Sequence, residues 1–218
     1  GSMTMESFGR SAILKGQYIY TTQSNELVDG QGNPMTDYMV FATTSDDKVT
    51  NIGANPAPAD IAETPNSAIS LITGNVYNSS GKIITHMKNA LDVYAQKSSV
   101  ISPSLREEIA QASKEYQQQL LSFRFGDYQL EAVDADAVHD GLFIYTCPNT
   151  MTPTGTTINP FLDYLIMADL VNGSLGSTVG MPPSNSVKGM ISLITGNVYD
   201  RTSPTPIDGG YSQLTQYT

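Results

Sequence analysis

The chain has 218 residues, a formal net charge of -10 and only 15% charged residues, with one cysteine and no tryptophan. That length can bury a real core. The negative sign disfavours phosphate backbones and anionic membranes, one cysteine excludes an intrachain disulfide or a multi-cysteine zinc site, and no apolar run approaches the ~20 residues of a membrane-spanning helix.

In chain order, Gly1-Ser2-Met3 reads as a tag-cleavage remnant, and residues 1–11 as an N-terminal arm. Residues 12–22, with Tyr18, Ile19 and Tyr20, are β-formers and predict a strand. Asp29-Gly30-Gln31-Gly32-Asn33-Pro34 is turn chemistry. A second strand follows over 37–44, then a long loop rich in Pro, Asn, Ala and Gly. The stretch Ile69 to Tyr77 is ambiguous. Ile69, Ile72 and Val76 share a helical face, which predicts a short helix ended near Gly74-Asn75; the β-branched content leaves a short strand as the alternative.

Ile83, Met87, Leu91 and Tyr94 then stand at helical spacing over 82–97. Ser102 can cap a helix beginning at Pro103, with Leu105, Ile109, Ala112, Tyr116 and Leu120 as a continuous apolar stripe to about 123. The two helices read as a helical hairpin, and 127–133 as a connecting β-stretch. Strands are expected over 142–147 and 163–170, and the tail from Thr202 reads as irregular.

The chain also repeats itself. Ile69-Ser-Leu-Ile-Thr-Gly-Asn-Val-Tyr77 recurs, all nine residues identical, as Ile191 to Tyr199. Upstream, Tyr18-Ile19-Tyr20-Thr21 parallels Phe143-Ile144-Tyr145-Thr146, and Asn33-Pro34 with Asp37-Tyr38 parallels Asn159-Pro160 with Asp163-Tyr164. The expected fold is therefore α+β. Two tandem-duplicated β-rich units, 12–81 and 134–201, are related by a pseudo-two-fold; a unique helical hairpin and connecting strand occupy 82–133, and an irregular tail 202–218.

Candidate chemistry is sparse. No phosphate-loop, zinc-protease or serine-hydrolase motif occurs. The repeated nonapeptide is either a packing element or a pair of equivalent ligand contacts through Thr73, Asn75, Tyr77 and Thr195, Asn197, Tyr199. Tyr with Asn, Thr and Gln makes adaptable contact surfaces, although strand packing explains the tyrosines as well. Asp134, Asp136, His139 and Asp140 form an acidic cluster that could hold a divalent ion, or else cap the next element. Cys147 could serve as a nucleophile only with a histidine in reach, and His86 and His139 are the only two. The sequons at Asn78 and Asn172 matter only in a eukaryotic secretory setting.

These signals predict a non-enzymatic binding or assembly protein that engages a protein or glycan, or self-associates as a homo-oligomer, with no cofactor, no nucleic acid and no transmembrane segment. The alternatives are a hydrolase using His139 and Asp136, with Cys147 a further candidate, in a cleft between the repeats, and a secreted toxin or effector. Low charge, abundant Ser, Thr and Asn and a single Cys suit a bacterial protein, cytoplasmic or secreted without a visible signal peptide.

Overall fold

A computed structural model describes residues 6–8, 19–29, 31–53, 65–97, 101–126, 128–148, 162–183, 187–202 and 205–209. The chain divides into two compact units, Gly1–Gln117 and Gln118–Thr218.

In the first unit, strands β1 (Glu6–Phe8), β2 (Ile19–Val28), β3 (Pro34–Ser45), β4 (Lys48–Ile52), β5 (Ser67–Ser70), β6 (Asn75–Asn78) and β7 (Ile83–His86) form an antiparallel sheet of order β1-β2-β3-β5-β6-β7, with β4 paired to β3. Two helices follow, α1 (Ala90–Lys97) and α2 (Pro103–Leu120). Strand β3 is central. Asp37 to Val40 are all buried, so both faces of the strand are covered, which is why it reads as an unbroken apolar run rather than an alternation. The β3–β4 connection is a two-residue turn. Asp46 and Asp47 both have positive φ (49° and 58°), the mirror-image geometry that matches strand twist.

The second unit begins with the hairpin β8 (Ser122–Phe125) and β9 (Tyr128–Ala132), then a single helical turn and a half, α3 (Ala135–His139). Strands β10 (Tyr145–Pro148), β11 (Leu162–Val171), β12 (Ser174–Val179), β13 (Gly189–Ser192), β14 (Val198–Asp200) and β15 (Pro206–Asp208) complete a sheet of order β15-β14-β13-β11-β10-β9-β8, with β12 paired to β11. Leu165 to Ala168 are again buried without a break on the central strand. The β11–β12 turn is Asn172-Gly173, with φ of 53° and 80°. The order β2-β3-β5-β6-β7 with β4 on β3 thus recurs as β10-β11-β13-β14-β15 with β12 on β11.

Several expectations change. The nonapeptide forms no helix beyond one turn: β5 and β6 pair antiparallel, Ile69 opposite Val76, around Leu71–Gly74. The Gly74 N–H does bond the Ser70 carbonyl (3.0 Å), one helical turn, but Gly74 then enters the left-handed region (φ 74°) and turns the chain back. The cross-strand pairing of β-branched residues on a central sheet outweighs the helical spacing.

Residues 82–97 are not one helix either. Ile83–His86 is a strand and only Ala90–Lys97 is helical, with Asn89 at positive φ (56°) between them. The helix predicted from Pro103 ends at Leu120 rather than 123, because Ser122–Phe125 continues as β8. Its start is as the sequence indicates: Ser102 Oγ accepts the Leu105 N–H at 3.2 Å, and Leu105, Ile109, Tyr116 and Leu120 are buried. Residues 82–133 therefore do not stand as a separate hairpin; they supply β7 to one sheet and β8–β9 to the other. The tail is not wholly irregular, since Pro206–Asp208 pairs with β14. In the predicted first strand, residues 12–18 lie outside the described residues; the strand that follows runs on to Val28.

Candidate functional site

The repeated nonapeptide is built around a buried serine–aspartate pair. Ser70 Oγ donates to Asp37 Oδ1 at 2.7 Å. It also accepts the backbone N–H groups of Ile72 (3.3 Å) and Thr73 (2.9 Å). Thr73 Oγ1 in turn accepts the Asn75 N–H at 3.0 Å. The second unit makes the same bonds: Ser192 to Asp163 at 2.7 Å, Ile194 and Thr195 N–H to Ser192 at 3.2 and 3.0 Å, and Asn197 N–H to Thr195 at 3.2 Å. The carbonyls of Tyr38 and Tyr164 accept the N–H groups of Leu71 (2.7 Å) and Leu193 (2.8 Å). Each serine hydroxyl is thus fully used and completely buried, which makes it a turn-fixing group and not an accessible nucleophile. This accounts for the repeated Ser and Thr and for the Asp upstream, whose side chains build the turn; the Asn and the upstream Tyr enter it through backbone groups.

Burial holds the Asp163 carboxyl above the usual carboxylate range, against the Ser192 hydrogen bond and a backbone hydrogen bond, which favour the anion. Replacing Ser192 by alanine removes one donor and one double acceptor at once. The expected cost is about 1–3 kcal/mol, because Asp163 and two N–H groups lose partners in a dry site. Chemical denaturation of Ser192→Ala against the wild type measures it. Asp163→Asn keeps an acceptor for the serine and is expected to cost less.

The predicted ligand-contact residues are not equivalent at the surface. Thr73, Asn75 and Tyr77 are all buried, Asn75 completely. In the second unit Thr195 is exposed, Asn197 half-buried and Tyr199 fully buried. Burial pushes the Tyr199 hydroxyl up; the polar side chains of Asn197 and Thr195 nearby work against that, and the Asp163 charge adds to it.

The acidic cluster is organised by α3. Asp134 is its N-cap, with its carboxylate accepting the Asp136 N–H at 2.8 Å, and the Asp140 N–H closes the other end on the carbonyls of Ala137 and Asp136. His139 sits in the last turn, half-buried. Among the described residues no group of three or more His, Cys, Asp or Glu side chains is placed to hold a metal ion. Cys147 is buried on β10, and its cross-strand neighbour is Asp163. Thr22 holds the corresponding place opposite Asp37 in the first unit. Among the described residues no helix is long and apolar enough to cross a membrane.

Two features went unread in the sequence. Tyr38 donates its hydroxyl to Glu108 Oε1 of α2 at 2.6 Å; burial first, then this bond and the adjacent charge, push the phenol up to about 12. Nothing local couples residues 70 positions apart, so no sequence signal marked the pair. His86, at the end of β7, packs its ring against Gly74, with Nδ1 3.5 Å from Asn75 Oδ1, and burial lowers its pKa to about 4.

No family model matches the chain, and neither the curated proteins nor the solved structures include a match to it.

Proposed function

We propose that the chain is a non-enzymatic binding or assembly protein, in which residues 12–81 and 134–201 are two copies of one β-rich unit that have diverged at their surfaces. The identical nonapeptides, the recurring strand order and the recurring serine–aspartate turn support the duplication. The single observation that carries the functional reading is where apolar surface is left open. The exposed large hydrophobic residues among those described are Val133, Leu142, Tyr164, Val171, Ile194 and Ile207, and all of them belong to the second unit. Their confinement to one unit, with Tyr164 and Ile194 flanking the same turn, supports a contact surface for a macromolecule there, either a protein or glycan partner or another copy.

Light scattering from micromolar to millimolar concentration tests the assembly form of this reading. A mass that rises with concentration, and stays monomeric in a Val171→Asp/Ile194→Asp double variant, is the expected result for self-association. Both positions are exposed, so the fold is expected to survive the change. Hydrolytic activity that disappears in His139→Ala or Asp136→Ala would overturn the reading in favour of an enzyme.

A further inference from the structure

The same nonapeptide turn is covered in one unit and open in the other. Ile72 is 3% exposed and its counterpart Ile194 is 55% exposed; Tyr38 is 7% exposed and Tyr164 is 39%. Leu71 and Thr73 are buried, whereas Leu193 is half-buried and Thr195 exposed. The local backbone does not explain this, because both turns make the same hydrogen bonds within 0.2 Å. One neighbour differs. In the first unit α2 reaches Tyr38, beside the turn: Glu108 takes the Tyr38 hydroxyl, while Leu105, Ile109 and Tyr116 are buried on the same helix and its other face is polar and exposed. Below Ile194 and Tyr164, the second sheet carries a continuous apolar cluster, Ile166, Ala168, Ile191 and Val198, whose flank includes the half-buried Leu193.

From this we infer that the Tyr164–Leu193–Ile194–Thr195 surface of the second unit is a docking site for an amphipathic helix of another protein, one with an apolar stripe and a carboxylate that receives the Tyr164 hydroxyl. The inference deepens the binding reading above and rests on it. The occupant is a helix because Tyr38, the counterpart of Tyr164 in the same turn geometry, is reached by a helix in the first unit and bonds its carboxylate. It comes from another protein because α2 is committed: a second copy lending its α2 would uncover its own Tyr38 and gain nothing in the exchange. Charge narrows the partner further. Residues 118–218 carry nine Asp and Glu against three Lys and Arg, so a helix whose remaining face is basic is steered towards this unit.

The test uses the full chain and a hydrocarbon-stapled peptide of the α2 sequence, residues 103–120, cross-linked through positions 110 and 114 so that helicity is not limiting. It carries Glu107→Lys and Glu115→Lys at two exposed positions, so that its outer face is basic while Leu105, Glu108, Ile109 and Tyr116 are kept. Backbone amide shifts are followed by NMR. Saturable shifts at Leu193, Ile194, Thr195 and Tyr164 are expected, with affinity falling about ten-fold or more in Ile194→Asp and less in Tyr164→Phe, which keeps the ring and loses only the hydroxyl. A peptide carrying Glu108→Gln is expected to bind several-fold more weakly to the wild type and equally to Tyr164→Phe. Absence of saturable shifts, shifts confined to the first unit, or binding indifferent to Ile194→Asp would overturn the inference. Concentration-dependent dimerisation that Ile194→Asp abolishes, without peptide binding, would overturn the helical partner and leave the assembly reading standing. A chain that neither binds the peptide nor self-associates would count against both.

Discussion

Gly74→Ala is expected to cost about 2–5 kcal/mol. Two terms add. At φ 74° an L-residue is strained by about 1–2 kcal/mol. The new Cβ would also lie 2.5 Å from the Met87 carbonyl oxygen and 2.8 Å from His86 Cε1. A side chain could swing away, but the Met87 carbonyl belongs to the backbone that closes the turn, its own N–H bonding the Gly74 carbonyl at 2.8 Å. Relief therefore requires β6 and β7 to separate. Gly32 supplies the control. Its φ is 85°, yet nothing lies within 4 Å of a Cβ placed there, so Gly32→Ala should cost only the strain term. Denaturant melts of both variants, with hydrogen exchange on β6 and β7, separate the two contributions. Equal costs at Gly74 and Gly32 would show that the close approach to Met87 carries no energy.

Acid is expected to weaken the first unit through His86. Burial lowers the imidazole pKa to about 4 in the folded chain, from 6.5 when unfolded. Between these values the unfolded chain holds a proton that the folded chain does not. Stability from this group is therefore complete above about pH 6.5, declines as the pH falls, and levels off below about pH 4, a total near ~3 kcal/mol. A raised carboxyl pKa acts with the opposite sign, and Asp163 contributes that in the second unit. The informative measurement is accordingly the difference between wild type and His86→Gln. Relative to the variant, which does not titrate there, the wild type should lose about 3 kcal/mol as the pH falls from 6.5 to 4, whatever the offset between the two at neutral pH. Parallel curves across that range would mean the ring is reached by water. The site is a tight one: the ring packs on Gly74, beside the fully buried Asn75.

How much of this was legible beforehand follows from the range of each interaction. Helix α2 was readable in full at its start, because the Ser102 cap, Pro103 and the stripe from Leu105 to Leu120 are all local signals. Its end, expected near 123, falls at Leu120, since Phe123 fits the helical spacing while belonging to β8. Strand β12 went unread although Asn172-Gly173 is the strongest short-range hairpin signal there is; its Asn was weighed as a sequon instead. Strand β4 turns on Asp46-Asp47, a weaker version of the same signal. The acidic cluster was more nearly understood, because capping by Asp134 is a contact of two residues. The Tyr38–Glu108 and Asp37–Ser70 pairs span 70 and 33 positions and leave no periodic trace.

The nonapeptide marks where sequence stops deciding. Nine identical residues, together with the Asp-Tyr pair, suffice to fix one turn: serine against aspartate, threonine under the next N–H, glycine at positive φ. All of these bonds form within the turn and to the strand beside it, so they recur wherever the same residues meet the same strand. Exposure is a different quantity. It depends on which other elements arrive from far along the chain, and identical residues end at 3% exposed in one unit and 55% in the other. The turn belongs to the sequence; whether it is core or open to solvent was decided only by the tertiary structure, because burial is a property of neighbours and not of the segment itself.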